Sequence, residues 1–175
     1  MLFRSGIMRV QQVATMSWDD AAPLMAVDLL APLRLQALVV QRLLDADAHG
    51  EVAGPRALRG VIVNIASMAG KVPLKGCAYY GASKAGLAMA SEIARAELAP
   101  RGIRVVTVYP GPVRSELEQG ARDGYGGGGA MGRFAPTGEP DVLAARILSA
   151  IDRDEPRVIY PKLYEVGFSD RKSVV

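Results

Sequence analysis

Val61-Ile62-Val63-Asn64-Ile65-Ala66-Ser67, with Tyr80-Gly81-Ala82-Ser83-Lys84-Ala85-Gly86-Leu87 behind it, is the stretch on which the fold turns. Its first part is near-continuously apolar, which suits a parallel strand covered on both faces. Its second part is Ala-rich and runs to Pro100-Arg101-Gly102, predicting a helix that ends at about Ala99. Ser67 closes the strand, Tyr80 opens the helix thirteen positions later, and Lys84 follows four further on. Residues at i and i+4 share a helix face, so the lysine ammonium is expected beside the phenol. A phenol ordinarily ionises near pH ~10, and an adjacent cation is expected to lower that toward neutrality. Ser67 is placed to bond the same oxygen that Tyr80 protonates or deprotonates. Such a centre suits the interconversion of an alcohol and a carbonyl compound. Tyr79, whose i+4 partner is the uncharged Ser83, lacks that chemistry.

A second strand, Ile103-Arg104-Val105-Val106-Thr107-Val108-Tyr109, ends in Pro110-Gly111-Pro112-Val113-Arg114-Ser115. In this order and spacing, the Ser, the Tyr-x-x-x-Lys and the post-strand Pro-Gly turn resemble the short-chain dehydrogenase/reductase family, from about Gly6 to about Pro161. The resemblance implies an α/β fold, a Rossmann-like doubly wound parallel sheet, of which this chain carries the C-terminal part only. It implies an NAD(P)-dependent oxidoreductase acting on CH–OH groups, with NAD or NADP as cofactor and a small alcohol or ketone as substrate. On the same footing Tyr80 is the acid/base, Ser67 positions the carbonyl, and Lys84 also binds the nicotinamide ribose. Tyr80, Lys84, Pro110, Gly111, Val113 and Ser115 become the cofactor-binding residues, Val113 through its backbone toward the carboxamide and Ser115 near the phosphates. The helices at Ser17–Leu44 and Tyr80–Ala99 are implied as a homodimer interface.

One position departs from the pattern. Val27-Asp28-Leu29-Leu30-Ala31-Pro32 carries Asp28 where the family has Asn. Asp28 is taken as a fourth catalytic residue, accepting a hydrogen bond from a relay water or held protonated. An anion there offsets part of the effect of Lys84 on Tyr80. The plainer reading is a solvated or helix-paired carboxylate. A competing function, a non-enzymatic module that dimerises through its long helices, is favoured by Asp28 and by a missing element. No Gly-rich turn between a strand and a helix precedes Ser67, although pyrophosphate is commonly cradled there. The glycines of Gly124–Gly132 follow no strand directly and are rejected for that role.

Residues 1–5 and 170–175 back-translate to strings that match sequencing adapters, so both ends are expected to be foreign to a partial domain spanning 6–169. On that reading the isolated chain is expected to be catalytically silent, and the strand at Val61 to lack a neighbour and expose an apolar edge. Half the 175 residues are hydrophobic and 22% charged, as in an ordinary globular domain. The formal charge of +3 includes Arg4, Arg171 and Lys172 from the suspect ends, so it is no signal for nucleic acid. One cysteine, Cys77, suits a reducing cytoplasm and is read as a small buried thiol. No uncharged apolar run reaches ~18 residues, so no membrane span is expected. His49 sits in a polar loop with no partner at metal-ligand spacing.

The remaining elements are coarse. Ser17 is expected to cap a helix to about Leu44, with Pro32 kinking its middle. Gly120–Gly138 resembles the family's mobile substrate-covering loop, while Met68 and Met131 are packing or pocket residues. Pro140 is expected to open a helix to about Asp152, with Arg157–Tyr160 as a last short strand.

Overall fold

The two apolar stretches become the paired centre of a parallel sheet. In the computed structural model, which describes residues 2–3, 6–48, 58–124 and 137–165, β2 (Gly60–Ile65) lies beside β3 (Ile103–Pro110). Their register runs from Gly60↔Ile103 to Ile65↔Val108. β1 (Leu2–Phe3) joins the outer side of β2 and β4 (Arg157–Tyr160) that of β3, giving the order β1-β2-β3-β4, all parallel. The expectation that β2 lacks a neighbour is therefore corrected. The backbone of Leu2–Phe3 pairs with Val63 and Asn64.

Successive strand residues point to opposite faces, and the apolar character of both faces demands two covers. On one side Ile62, Ile103 and Val105 meet Ala94, with Val39, Val40, Leu43, Leu44 and Leu98 packed around them. On the other, Val63, Val106, Val108 and Val158 meet Ile147 and Ala150. The first cover is α2 (Ala31–Ala48) with α3 (Ala78–Leu98), and the second is α5 (Pro140–Asp152). Burying one such side chain is worth about 1.5–3 kcal/mol, so these two clusters fix the sheet between its helices. The result is the doubly wound α/β arrangement expected.

Local sequence explains how the helices reach the site. Ser17 caps α1 (Trp18–Met25), its Oγ accepting the Asp20 N–H at 3.2 Å. Pro32 has no N–H, so the Asp28 carbonyl loses its i+4 donor. The chain answers with a π-helical turn, Ala26–Leu30, in which the Ala31 N–H reaches back to the Ala26 carbonyl before α2 resumes. That wide turn carries Asp28, which is fully buried. α3 stops in a 3₁₀ turn at Ala99–Arg101, and Gly102 takes the left-handed φ of 72° that favours glycine.

Three further features go beyond what the sequence leads us to expect. α2 runs on to Ala48 rather than ending near Leu44. α4 (Glu116–Gly124) occupies part of what reads as a glycine-rich loop. Its start is written in Ser115-x-x-Glu118, half of a capping box, and the Glu118 N–H donates to Ser115 Oγ at 3.2 Å. The helical stretch Trp18–Ala46 contains an 18-residue window of mean hydropathy 1.6, long and apolar enough to cross a membrane by length and composition, although its Asp28 pairs inside the protein. His49, Met131 and most of the expected substrate-covering loop lie outside the described residues.

Candidate active site

Ser67, Tyr80 and Lys84 come together where β2 ends and α3 begins. Ser67 is extended, at φ −167°, and caps the 3₁₀ turn Met68–Gly70 by accepting the Ala69 N–H at 3.1 Å. Its hydroxyl faces the Pro110 carbonyl at the end of β3, 3.5 Å away. Tyr80 is 6% exposed and clusters with Leu24 and Cys77, and Met8, Val10, Ala69, Leu74 and Tyr79 pack against that cluster. Lys84, one turn on, turns its ammonium toward the phenol, 5.8 Å from the ring centroid. The same Nζ donates to the Ile65 carbonyl at 3.3 Å, so the strand end itself anchors the lysine.

Asp28 enters from the π turn. Its Oδ1 stands 3.9 Å from Lys84 Nζ and accepts the Ile7 N–H at 2.9 Å, and its Oδ2 is buried without a hydrogen-bond partner among the described residues. Gly6 closes the pair from above: a Cβ there would lie 3.5 Å from Asp28 Oδ1 and 3.8 Å from Lys84 Nζ. The solvated-carboxylate reading of Asp28 is thereby excluded. Burial pushes the Asp28 carboxyl up and the Lys84 ammonium down, each partly countered by the charge of the other; the Ile7 N–H also helps the carboxylate.

The phenol does not follow the expected direction. Burial pushes Tyr80 up to about 12; the Ser67 hydroxyl works against this, and the Asp28 and Cys77 charges reinforce it. The cation expected to lower this value is engaged by a carboxylate and a carbonyl. Tyr80 is therefore an O–H donor at neutral pH.

The Pro-Gly turn forms the second wall. Pro112 and Arg114 are clamped by Gly138, which donates to the Pro112 carbonyl at 2.8 Å and accepts the Arg114 N–H at 3.0 Å, with Val113 paired to it as an isolated bridge. A Cβ on Gly111 would lie 2.8 Å from the Tyr164 ring, so the ring packs directly over the glycine and a larger residue there would make it shift. Ser115 Oγ donates to the Val113 carbonyl at 3.0 Å while capping α4. Tyr164 and the Ile7 N–H escape sequence reading: nothing local marks a contact between Tyr164 and Gly111, and a backbone donor has no residue signature. Tyr79 lies edge-on to Trp18 at 6.3 Å and packs against the cluster of Leu24, Cys77 and Tyr80, and Cys77 is buried at the start of α3.

The sequence profile of the short chain dehydrogenase family matches residues 2–126. D-threitol dehydrogenase of Mycolicibacterium smegmatis is 33% identical over 144 residues, covering 81% of this chain and 51% of that protein. (3R)-3-hydroxyacyl-CoA dehydrogenase of Canis lupus familiaris is 30% identical over 154 residues, covering 86% of this chain and 54% of that protein. This chain thus spans about half the length of these curated relatives. In fold it is similar to a short-chain dehydrogenase from Sphingobium yanoikuyae in complex with NADPH, with a TM-score of 0.75 over 99% of this chain and 66% of that one at 24% identity. By sequence and by fold, the chain belongs to the short chain dehydrogenase family.

Proposed function

We propose that the protein is an NAD(P)-dependent oxidoreductase that interconverts a small alcohol and its ketone or aldehyde. The observation that carries this is the meeting of Ser67, Tyr80 and Lys84 at one end of the sheet, with a buried phenol between a hydroxyl and an ammonium. Ser67 positions the carbonyl oxygen, Tyr80 exchanges a proton with it, and Lys84 holds the local charge. Asp28 belongs to the same cluster. The donor set fits the nicotinamide-ribose end of NAD or NADP. Tyr80 and Lys84 would meet the ribose hydroxyls, the backbone of Val113 the carboxamide, Pro110 and Gly111 the ring's side of the cleft, and Ser115 the phosphate side. When bound, that cofactor supplies or takes up a hydride; the chain's own task is orientation and proton transfer.

Two coarser features support the setting. Leu30, Leu35 and Leu38 on the long helix, and Met89 and Ile93 on α3, are exposed, which supports the homodimer that the family resemblance implies. A single, buried cysteine supports a reducing compartment such as the cytoplasm.

The test is NAD(P)H oxidation by the full-length protein against a panel of ketones and aldehydes, beside Tyr80→Phe. Carbonyl-dependent turnover that falls roughly 10²–10⁴-fold in Tyr80→Phe, with unfolding unchanged, is expected. Equal turnover in the two proteins, or none in the wild type, overturns the reading.

A further inference from the structure

The Asp28–Lys84 pair has a consequence for the direction of the reaction. Lys84 Nζ lies 3.9 Å from a carboxylate that is itself fully buried, under the backbone of Gly6 and against the Ile7 N–H. Whether the pair is ammonium and carboxylate or amine and carboxylic acid, its summed charge is zero. An Asn at position 28 would instead leave Lys84 either a full cation or a neutral amine, with no anion beside it. The groups that face Tyr80 are few among the described residues: Lys84 and Cys77 on its own helix, Asp28 on the π turn, and the uncharged Ser67 at the end of β2. The cluster that Tyr80 forms with Leu24 and Cys77 is otherwise packed by Met8, Val10, Ala69, Leu74 and Tyr79, none of them an acid or a base beside Lys84 and Asp28. A phenolate on Tyr80 would thus form in an apolar pocket without a net positive neighbour, whereas a neutral phenol is at ease there.

We propose that Asp28, by cancelling the charge of Lys84, makes this site a proton donor whose favoured work at neutral pH is carbonyl reduction, alcohol oxidation requiring alkaline conditions. This rests on the oxidoreductase reading above and adds its direction. In the reduction, the Tyr80 O–H bond breaks and its proton goes to the carbonyl oxygen, while the carbonyl carbon receives the hydride that reduced nicotinamide supplies. C=O becomes CH–OH, and the phenolate left on Tyr80 is reprotonated from water. The reverse step needs that phenolate at the outset, so its rate follows the phenolate fraction and climbs with pH. The burial that pushes Tyr80 up to about 12 agrees with this bias.

The experiment compares wild type, Asp28→Asn and Tyr80→Phe in the full-length protein. Two readouts are taken: the pH profile of kcat for alcohol oxidation, and the phenolate absorbance titration of Tyr80, isolated by subtracting the Tyr80→Phe spectrum. In Asp28→Asn the inflection should move down by about one pH unit in both, and kcat for alcohol oxidation at pH 7.5 should rise about tenfold. Superimposable wild-type and Asp28→Asn titrations overturn the inference, even where Tyr80→Phe is inactive and the oxidoreductase reading stands. Full activity in Tyr80→Phe overturns both. Asp28→Ser replaces Asp28→Asn if the latter does not fold, with the same expected shift.

Discussion

Two carboxylates on the helices that cover one face of the sheet, Asp28 and Glu92, show how differently a protein can hold the same chemical group. Glu92, on α3, accepts both Nε and Nη2 of Arg157, at 2.8 and 2.6 Å, and Nη2 of Arg95 at 2.8 Å. Burial works to raise its pKa, but these hydrogen bonds and the two guanidinium charges prevail and hold it at about 2. Asp28 has one backbone N–H, a lysine at 3.9 Å and an oxygen with no hydrogen-bond partner among the described residues, and burial prevails. A planar fork satisfies a carboxylate bidentately; a lysine at nearly 4 Å acts as little more than a point charge. Glu92 thereby ties β4 to α3, while burial holds the Asp28 carboxyl above its ordinary value beside Lys84.

The largest effect that could break this contrast is expected from Lys84→Met. Removing one partner of a buried pair strands the other charge, and a loss of about 3 kcal/mol in urea unfolding is expected. The sign with pH is specific. The folded pKa of Asp28 lies above its unfolded value of 3.8, so the stranded carboxylate costs most when ionised, and the deficit should shrink as pH falls toward that value. Asp28→Asn on top of Lys84→Met should recover at least half of the loss. Strict additivity of the two changes would show that the side chains are not coupled.

Glu92→Gln should cost less, about 1–2 kcal/mol, because Arg157 and Arg95 are each more than a third exposed and solvent screens them. Its pH dependence runs the other way. The folded pKa of Glu92 is depressed, so its contribution is present above the unfolded value of 4.5 and lost as pH falls toward about 2. Acid unfolding of the wild type should show that loss, and Glu92→Gln should be flatter across the same window. Parallel curves would mean that the fork carries no stability.

What the sequence made legible was local. The apolar runs of β2 and β3 declare a doubly covered sheet, and Tyr80 and Lys84 are one helical turn apart, so their meeting needs no knowledge of the rest of the chain. Pro32 likewise announces a disturbed helix. Which disturbance follows is less local: only the π turn shows that Asp28 is turned inward. The rise of Tyr80 was invisible because the cluster that buries it draws on Met8, Val10, Leu24 and Leu74, from segments with no shared pattern. The Glu92–Arg157 fork joins residues 65 positions apart, and neither has a neighbour that marks it. The cap of α4 was the opposite case, present in Ser115-x-x-Glu118 but outweighed by the glycines that follow.

The smallest expected effect tests which donors matter to Glu92. Tyr109 is fully buried, and its hydroxyl reaches Glu92 Oε1 at 3.5 Å. Burial and the Glu92 charge both push this phenol above its ordinary value, so it remains an O–H donor across the stable pH range. Three shorter bonds from guanidinium groups already serve the carboxylate, and a long neutral donor adds little to charge-assisted ones. Tyr109→Phe should therefore cost no more than about 1 kcal/mol and leave the acid midpoint of Glu92 in place. Arg157→Lys, which keeps the charge but removes the fork, should move that midpoint upward. If Tyr109→Phe moves it as far as Arg157→Lys does, the carboxylate is held by the number of its donors rather than by the planar guanidinium, and the contrast with Asp28 reduces to a count of hydrogen bonds.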